Sequence, residues 1–297
     1  MNLQAEILLF FQRIGTPFWD GLAVFFTLFG EETISICVLL AILWCIDKEK
    51  GYIIIGTMFF GLTGNTIMKA IVRMPRPFSV IPGLSGKRLS TATGYSFPSG
   101  HTTTAATLYS SMAIAVRKRW VSVLCAVLIV LVGVSRMYLG VHWPMDVAGG
   151  LILGVLTSLL FYKMFETMDE KGKGSYCMII GWTTLVTAII LASLLYAHRI
   201  DETAFSDMMK TFALFSGVYL GFSIDAKHIH FTVEGSIALR ILRFAVGFGF
   251  ILLIMGVKHL FKAESAYYPV AFSRYFLSGI WGTAIYPLLG KKLRLFS

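Results

Sequence analysis

The chain has 297 residues, 56% of them hydrophobic and only 14% charged. A soluble domain carries about 25% charged residues, and the apolar residues here come in blocks near the ~20 residues that a bilayer span needs. Two soluble domains are thereby excluded, and the net charge of +10, split among short clusters such as Arg117-Lys118-Arg119 and Lys291-Lys292-Leu293-Arg294, reads as cytoplasmic loops of one polytopic membrane domain and not as a nucleic-acid surface.

Residues 3–29 are apolar but broken by Gly15-Thr16-Pro17, which predicts interfacial and half-spanning helices over 1–30, or one kinked span. Spans follow at 31–46, 51–72, 99–116, 120–138 and 143–165. The charged stretch Glu166 to Lys173 then precedes four more, at 175–197, 207–224, 236–258 and 269–290. The expected fold is an all-α polytopic membrane bundle divided at 1–30, 31–166 and 175–297. Nine crossings put the loops carrying Lys48, Lys50, Arg117, Lys118, Arg119, Lys227 and Lys291 on one face, the cytoplasmic one by the positive-inside rule. The loops at 73–98 and 139–142 then face outward, so Arg73, Arg76, Lys87 and Arg88 run against the rule, which suggests binding work for some of them. Arg240 and Arg243 are expected at the cytoplasmic interface, contacting lipid headgroups. Cys37, Cys45, Cys125 and Cys177 lie in or beside apolar blocks without paired spacing and read as free thiols. His228 and His230, flanking Ile229, make only a weak metal pair.

Three motifs carry chemistry. Lys69 lies in an apolar helix and either faces the bundle interior or snorkels to the interface. Arg76 follows seven positions later, between Pro75 and Pro77, where a helix should end. The run Tyr95-Ser-Phe-Pro98-Ser99-Gly100-His101 precedes a Thr/Ala-rich span. Ser99 is a plausible N-cap there, and the free N–H groups of a helix start suit an anion. In Ser135-Arg136-Met-Tyr-Leu-Gly-Val-His142-Trp-Pro-Met-Asp146, a helix is expected from about His142 or Trp143, putting His142 and Asp146 on one face. A carboxylate there would fix the imidazole tautomer and leave its far nitrogen free to attack, or simply close a helix start. Together Lys69, Arg76 and Arg136 supply positive charge, Ser99 and Gly100 neutral donors, and His101 a second imidazole able to protonate a leaving group. Asp146 is the one carboxylate in the set, too few for two-metal chemistry, so no metal and no cofactor are expected.

The pattern K-x6-RP, PSGH and SR-x5-H-x3-D, complete from Lys69 to Asp146, resembles that of the type 2 phosphatidic acid phosphatase (PAP2) superfamily, which shares its site with vanadium haloperoxidases and bacterial acid phosphatases. The resemblance implies a six-helix core with about four further C-terminal transmembrane helices. It implies Lys69, Arg76, Ser99, Gly100 and Arg136 as phosphate ligands, His142 as nucleophile, His101 as general acid and Asp146 as orienting partner. The implied activity is hydrolysis of a phospholipid or sphingolipid phosphate at the extracytoplasmic membrane face, with membrane lipids as surroundings and a homodimer as a possible assembly. Polyprenyl (di)phosphate hydrolysis and lipid phosphotransfer are the enzymatic alternatives; a vanadate haloperoxidase and a non-catalytic lipid carrier are more distant ones. The C-terminal half, with Arg240, Arg243 and Ser273-Arg274-Tyr275 on its helices, is similar to sphingosine-1-phosphate phosphatases, although that subgroup often has Thr at the position of Gly100.

Overall fold

The computed structural model describes residues 3–260 and 267–296, and its regular elements among them are all helical. The helices are α1 (Leu3–Arg13), α2 (Pro17–Leu28), α3 (Glu32–Ala41), α4 (Lys48–Val72), the single turn α5 (Pro77–Val80), α6 (Gly100–Val116), α7 (Arg119–Tyr138), α8 (Pro144–Thr167), α9 (Glu170–Tyr196), α10 (Glu202–Ile224), α11 (Ile237–Gly256), α12 (Tyr267–Ile280) and α13 (Tyr286–Lys292). Five of these segments are long and apolar enough to cross a membrane, or six if the bent pair α2–α3 is one span, and the protein is an integral membrane protein. The three other expected crossings are shorter or more polar. α6 has 17 residues, α12 has 14 before a π-helical turn at Trp281–Ile285, and α10 carries Glu202, Asp207 and Lys210.

The described chain forms two compact units, one of residues 1–36 and 56–164, the other of 37–55 and 165–297. This differs from the division expected at 30/31 and 166. Residues 17–36 join the motif-bearing helices, whereas 37–55 join the C-terminal ones. Of the expected segments, residues 1–2, 261–266 and 297 lie outside the described residues.

In the first unit the helix starts are set locally. Thr16 accepts a hydrogen bond from the Trp19 N–H at 3.4 Å, and Pro17 supplies a preset φ at the first position of α2. Small residues let α4, α6 and α8 approach closely. A Cβ on Gly154 would sit 2.5 Å from the Ala106 Cβ, and one on Gly61 would sit 2.5 Å from the Thr107 hydroxyl. Ser158 donates to the Thr107 carbonyl at 3.0 Å across the same contact. Between α2 and α3 the chain tightens, with Gly30 N–H on the Thr27 carbonyl and Glu31 N–H on the Leu28 carbonyl, both at 3.0 Å, and turns by 46°.

In the second unit Arg243 corrects the expected headgroup contact, for it is fully buried. Its guanidinium donates to the carbonyls of Leu295 (2.6 Å), Trp44 (2.7 Å), Val233 (3.1 Å) and Glu234 (2.8 Å), and stacks over Phe296. Four acceptors from three chain segments are thus satisfied by one side chain, which water cannot do inside the bundle. Arg243→Ala should cost at least ~3 kcal/mol, since each buried acceptor stripped of its donor costs about 1–3 kcal/mol. Thermal unfolding in detergent measures this, and a variant as stable as the parent contradicts the assignment.

Candidate active site

All the motif residues fall in the first unit, and four chain segments carry them. Lys69 lies in the last turn of α4, buried, with its ammonium donating to the Tyr95 carbonyl. It faces inward, so the snorkelling alternative does not hold. Arg73 adopts a left-handed φ of 51°, and Pro75 and Pro77 prevent the helix from continuing. Arg76 follows in extended conformation. Its Nε donates to Gly94 O (3.0 Å), Nη2 to Thr93 O (2.5 Å) and Nη1 to Val141 O (3.0 Å). Each Nη carries a second hydrogen, and Nη1 also lies 3.3 Å from His142 Nε2.

Ser99 caps α6, accepting from the Thr102 N–H (3.4 Å) and the Thr102 hydroxyl (2.9 Å). Its own N–H bonds the Asp146 carbonyl at 2.9 Å, which ties the start of α6 to the start of α8. At Gly100 an added Cβ would meet nothing within 4 Å except the Asn65 amide oxygen at 3.8 Å. No protein packing requires a glycine there, so the open space suits a ligand against the helix start. Arg136, in the last turn of α7, is fully buried; Nη1 donates to the Thr27 hydroxyl at 2.8 Å, while Nε and Nη2 have no hydrogen-bond partner. Buried donors are almost always paired, and these two form the edge that binds an anion bidentately.

His142 corrects one detail of the sequence reading, because it lies in the loop before α8, not on the helix. Pro144 begins the helix, and Asp146 reaches back to accept the Trp143 N–H at 2.8 Å and to face His142 Nδ1 at 3.3 Å. The Trp143 indole N–H holds the Pro75 carbonyl at 3.0 Å, fixing this loop to the Arg76 segment. Asp146 thereby assigns the proton to Nδ1 and leaves the Nε2 lone pair beside Arg76. The ring is 1% exposed. Burial first, then Arg76, Arg136 and Lys69, lowers its proton affinity well below that of an ordinary imidazole, which favours the neutral ring.

Sequence reasoning misses two residues. Ser96 donates to Asp146 Oδ2 and holds that carboxylate in place. Glu31, in the break between α2 and α3, accepts two hydrogen bonds from Arg88 (2.9 and 3.0 Å) and lies 3.9 Å from His101 Nε2. Asp146 is therefore not the one carboxylate at the site. Two of the basic residues that run against the positive-inside rule prove to be paired and not ligands, Arg88 with Glu31 and Lys87 with Asp20 at 2.5 Å. That contrary position is the only sequence signal for these pairs.

The result is a cup with three cations, a helix start and two imidazoles, each imidazole facing a carboxylate. It can hold a tetrahedral anion, attack it and protonate what leaves.

The chain is similar to known proteins. Residues 50–169 match the family model of the PAP2 superfamily, and 209–297 match that of the PAP2 superfamily phosphatase, transmembrane extension. The chain is 29% identical over 174 residues to the undecaprenyl-diphosphatase of Sulfolobus acidocaldarius, covering 57% of this chain and 81% of that protein. It is 27% identical to the lipid A 4′-phosphatase of Bacteroides thetaiotaomicron (57% and 80% covered). Over a shorter stretch it is 41% identical to phosphatidylglycerophosphatase B of Bacillus subtilis (27% and 41% covered).

Proposed function

The chain is a membrane phosphatase of the PAP2 superfamily, and from that premise we propose that it hydrolyses the terminal phosphate of a membrane lipid through a phosphohistidine on His142, at the extracytoplasmic face. The observation that carries this reading is the His142 ring, with Nδ1 on Asp146 at 3.3 Å and Nε2 beside Arg76 at 3.3 Å. Nε2 attacks phosphorus in line, and the P–O bond to the lipid alcohol breaks as His101 gives its proton to the leaving oxygen. Arg76, Arg136 and Lys69, with the donors of Ser99 and Gly100, hold the equatorial oxygens and the charge that spreads over them. Water then attacks the phosphohistidine, His101 takes its proton, the P–N bond breaks and inorganic phosphate leaves.

The donor set supports cations and imidazoles as the working groups. Asp146 is engaged by Ser96 and Trp143, and Glu31 by Arg88, so neither carboxylate is disposed to share an ion with the other. The names of the relatives favour lipids bearing a terminal phosphate, and that of the Sulfolobus protein favours a polyprenyl diphosphate as a second reading.

The test is release of inorganic phosphate by purified protein from phosphatidate, sphingosine-1-phosphate, phosphatidylglycerophosphate and undecaprenyl diphosphate, with His142→Ala as control. Turnover should persist in EDTA and be inhibited by orthovanadate, which copies the pentacoordinate state. Release that requires an added divalent ion, or that the His142 variant retains, contradicts the proposal.

A further inference from the structure

The two imidazoles of the cup are served differently. His142 has Asp146 four residues on, within its own motif, but nothing in the motif of His101 supplies it a carboxylate. The structure brings one from outside the motifs. Glu31 projects from the bend between α2 and α3, and that bend is seated on the start of α6, since a Cβ on Gly30 would lie 2.7 Å from the His101 carbonyl. Arg88 clamps the carboxylate from the far side through two hydrogen bonds, from a backbone held at a left-handed φ of 57° that a non-glycine residue seldom adopts. The nitrogen of His101 nearest Glu31 is Nε2, at 3.9 Å, a buried atom with no hydrogen-bond partner.

Resting on the phosphohistidine reading above, we propose that Glu31 is a positioning residue for the proton donor, orienting His101 and favouring its protonated form once a phosphate is bound, in a site that also holds three cations. Without a facing anion, Arg136 and Arg76 would disfavour a charged imidazole. With Glu31 and the negative charge of the bound phosphate both facing it, the ring carries a proton until the P–O bond breaks, passes it to the leaving alkoxide, and regains one from the attacking water. Protons balance over one turnover.

The test compares two phosphates with the same alkyl tail, one a simple alkyl phosphate and one with a nitrophenyl leaving group, whose departing oxygen needs no proton. Glu31→Gln keeps the shape and one acceptor for Arg88. It should lower the first-turnover rate of alcohol release from the alkyl phosphate by about 10–100-fold, part of the ~10²–10⁴ that a general acid contributes. It should leave the first-turnover release of nitrophenol, which precedes water attack, and the binding of inorganic phosphate close to wild type. Glu31→Asp, which retains the charge, should recover part of the alkyl phosphate rate. Equal losses on both substrates would assign Glu31 a purely structural part and overturn the proposal, as would no loss on either. If Glu31→Gln does not fold, the comparison passes to Glu31→Asp, whose shorter arm should slow the alkyl substrate selectively; an equal loss again overturns it. Failure of the wild type to depend on His142 would instead overturn the phosphohistidine reading.

Discussion

His142→Ala is expected to lower kcat by at least ~10⁴-fold while inorganic phosphate still binds, because losing a nucleophile removes a covalent step and not the anion site. The site is built so that these two properties separate. On the proposed reading, binding charge comes from Lys69, Arg76 and Arg136, each held by contacts other than those to the ring. Lys69 is held by the Tyr95 carbonyl, Arg76 by Thr93, Gly94 and Val141, and Arg136 by the Thr27 hydroxyl. Removing the imidazole leaves all these contacts standing. A single-turnover assay with the variant, alongside equilibrium binding of phosphate, measures both quantities. Loss of binding together with turnover would mean that the ring is a ligand or a structural prop and not the attacking group.

Arg136→Lys should reduce kcat/KM by about 10²–10³-fold, the cost typical of deleting one preorganised donor at a developing anion. Lysine keeps the charge, so a purely coulombic role would survive the change. Arg136, however, presents Nε and Nη2 unpaired in a fully buried setting while Nη1 is tethered to Thr27 at 2.8 Å. That fork suits two oxygens of one anion, and an ammonium cannot reproduce it. Because phosphate charge is present in the bound substrate and spreads further in the transition state, KM should rise and kcat should fall. Steady-state kinetics on purified variant decide it, and kcat/KM within a few-fold of wild type would show that charge alone suffices.

The amino-acid sequence makes much of the fold and of the cup legible. Long apolar blocks locate the helices because a buried span must satisfy its own backbone over about 20 residues. The cup residues are legible because fixed spacings bring them to helix ends. Lys69 and Arg76 straddle the end of α4, Ser99 and Gly100 open α6, and Arg136 and Asp146 bracket the turn from α7 to α8. What the chain hides are contacts set by tertiary path. Glu31 reaches His101 only because α2 and α3 bend, and Arg88 reaches Glu31 from a loop with no local regularity. Ser96 holds Asp146 across fifty positions of sequence. Arg243 reads as an interfacial cation because its local neighbours are apolar, whereas two of its four acceptors, at Trp44 and Leu295, come from distant segments. Periodicity reports which face a residue is on; it does not report which carbonyls will be left unpaired there.

Rapid quenching of purified enzyme with a lipid carrying radiolabelled phosphate tests the central claim most directly. Label should appear on the protein within the first turnover, withstand alkali, disappear in acid as a phosphoramidate does, map to the peptide containing His142, and be missing from His142→Ala. Full turnover without trapped label under conditions that slow the water step, or an alkali-labile adduct elsewhere in the chain, would contradict the account.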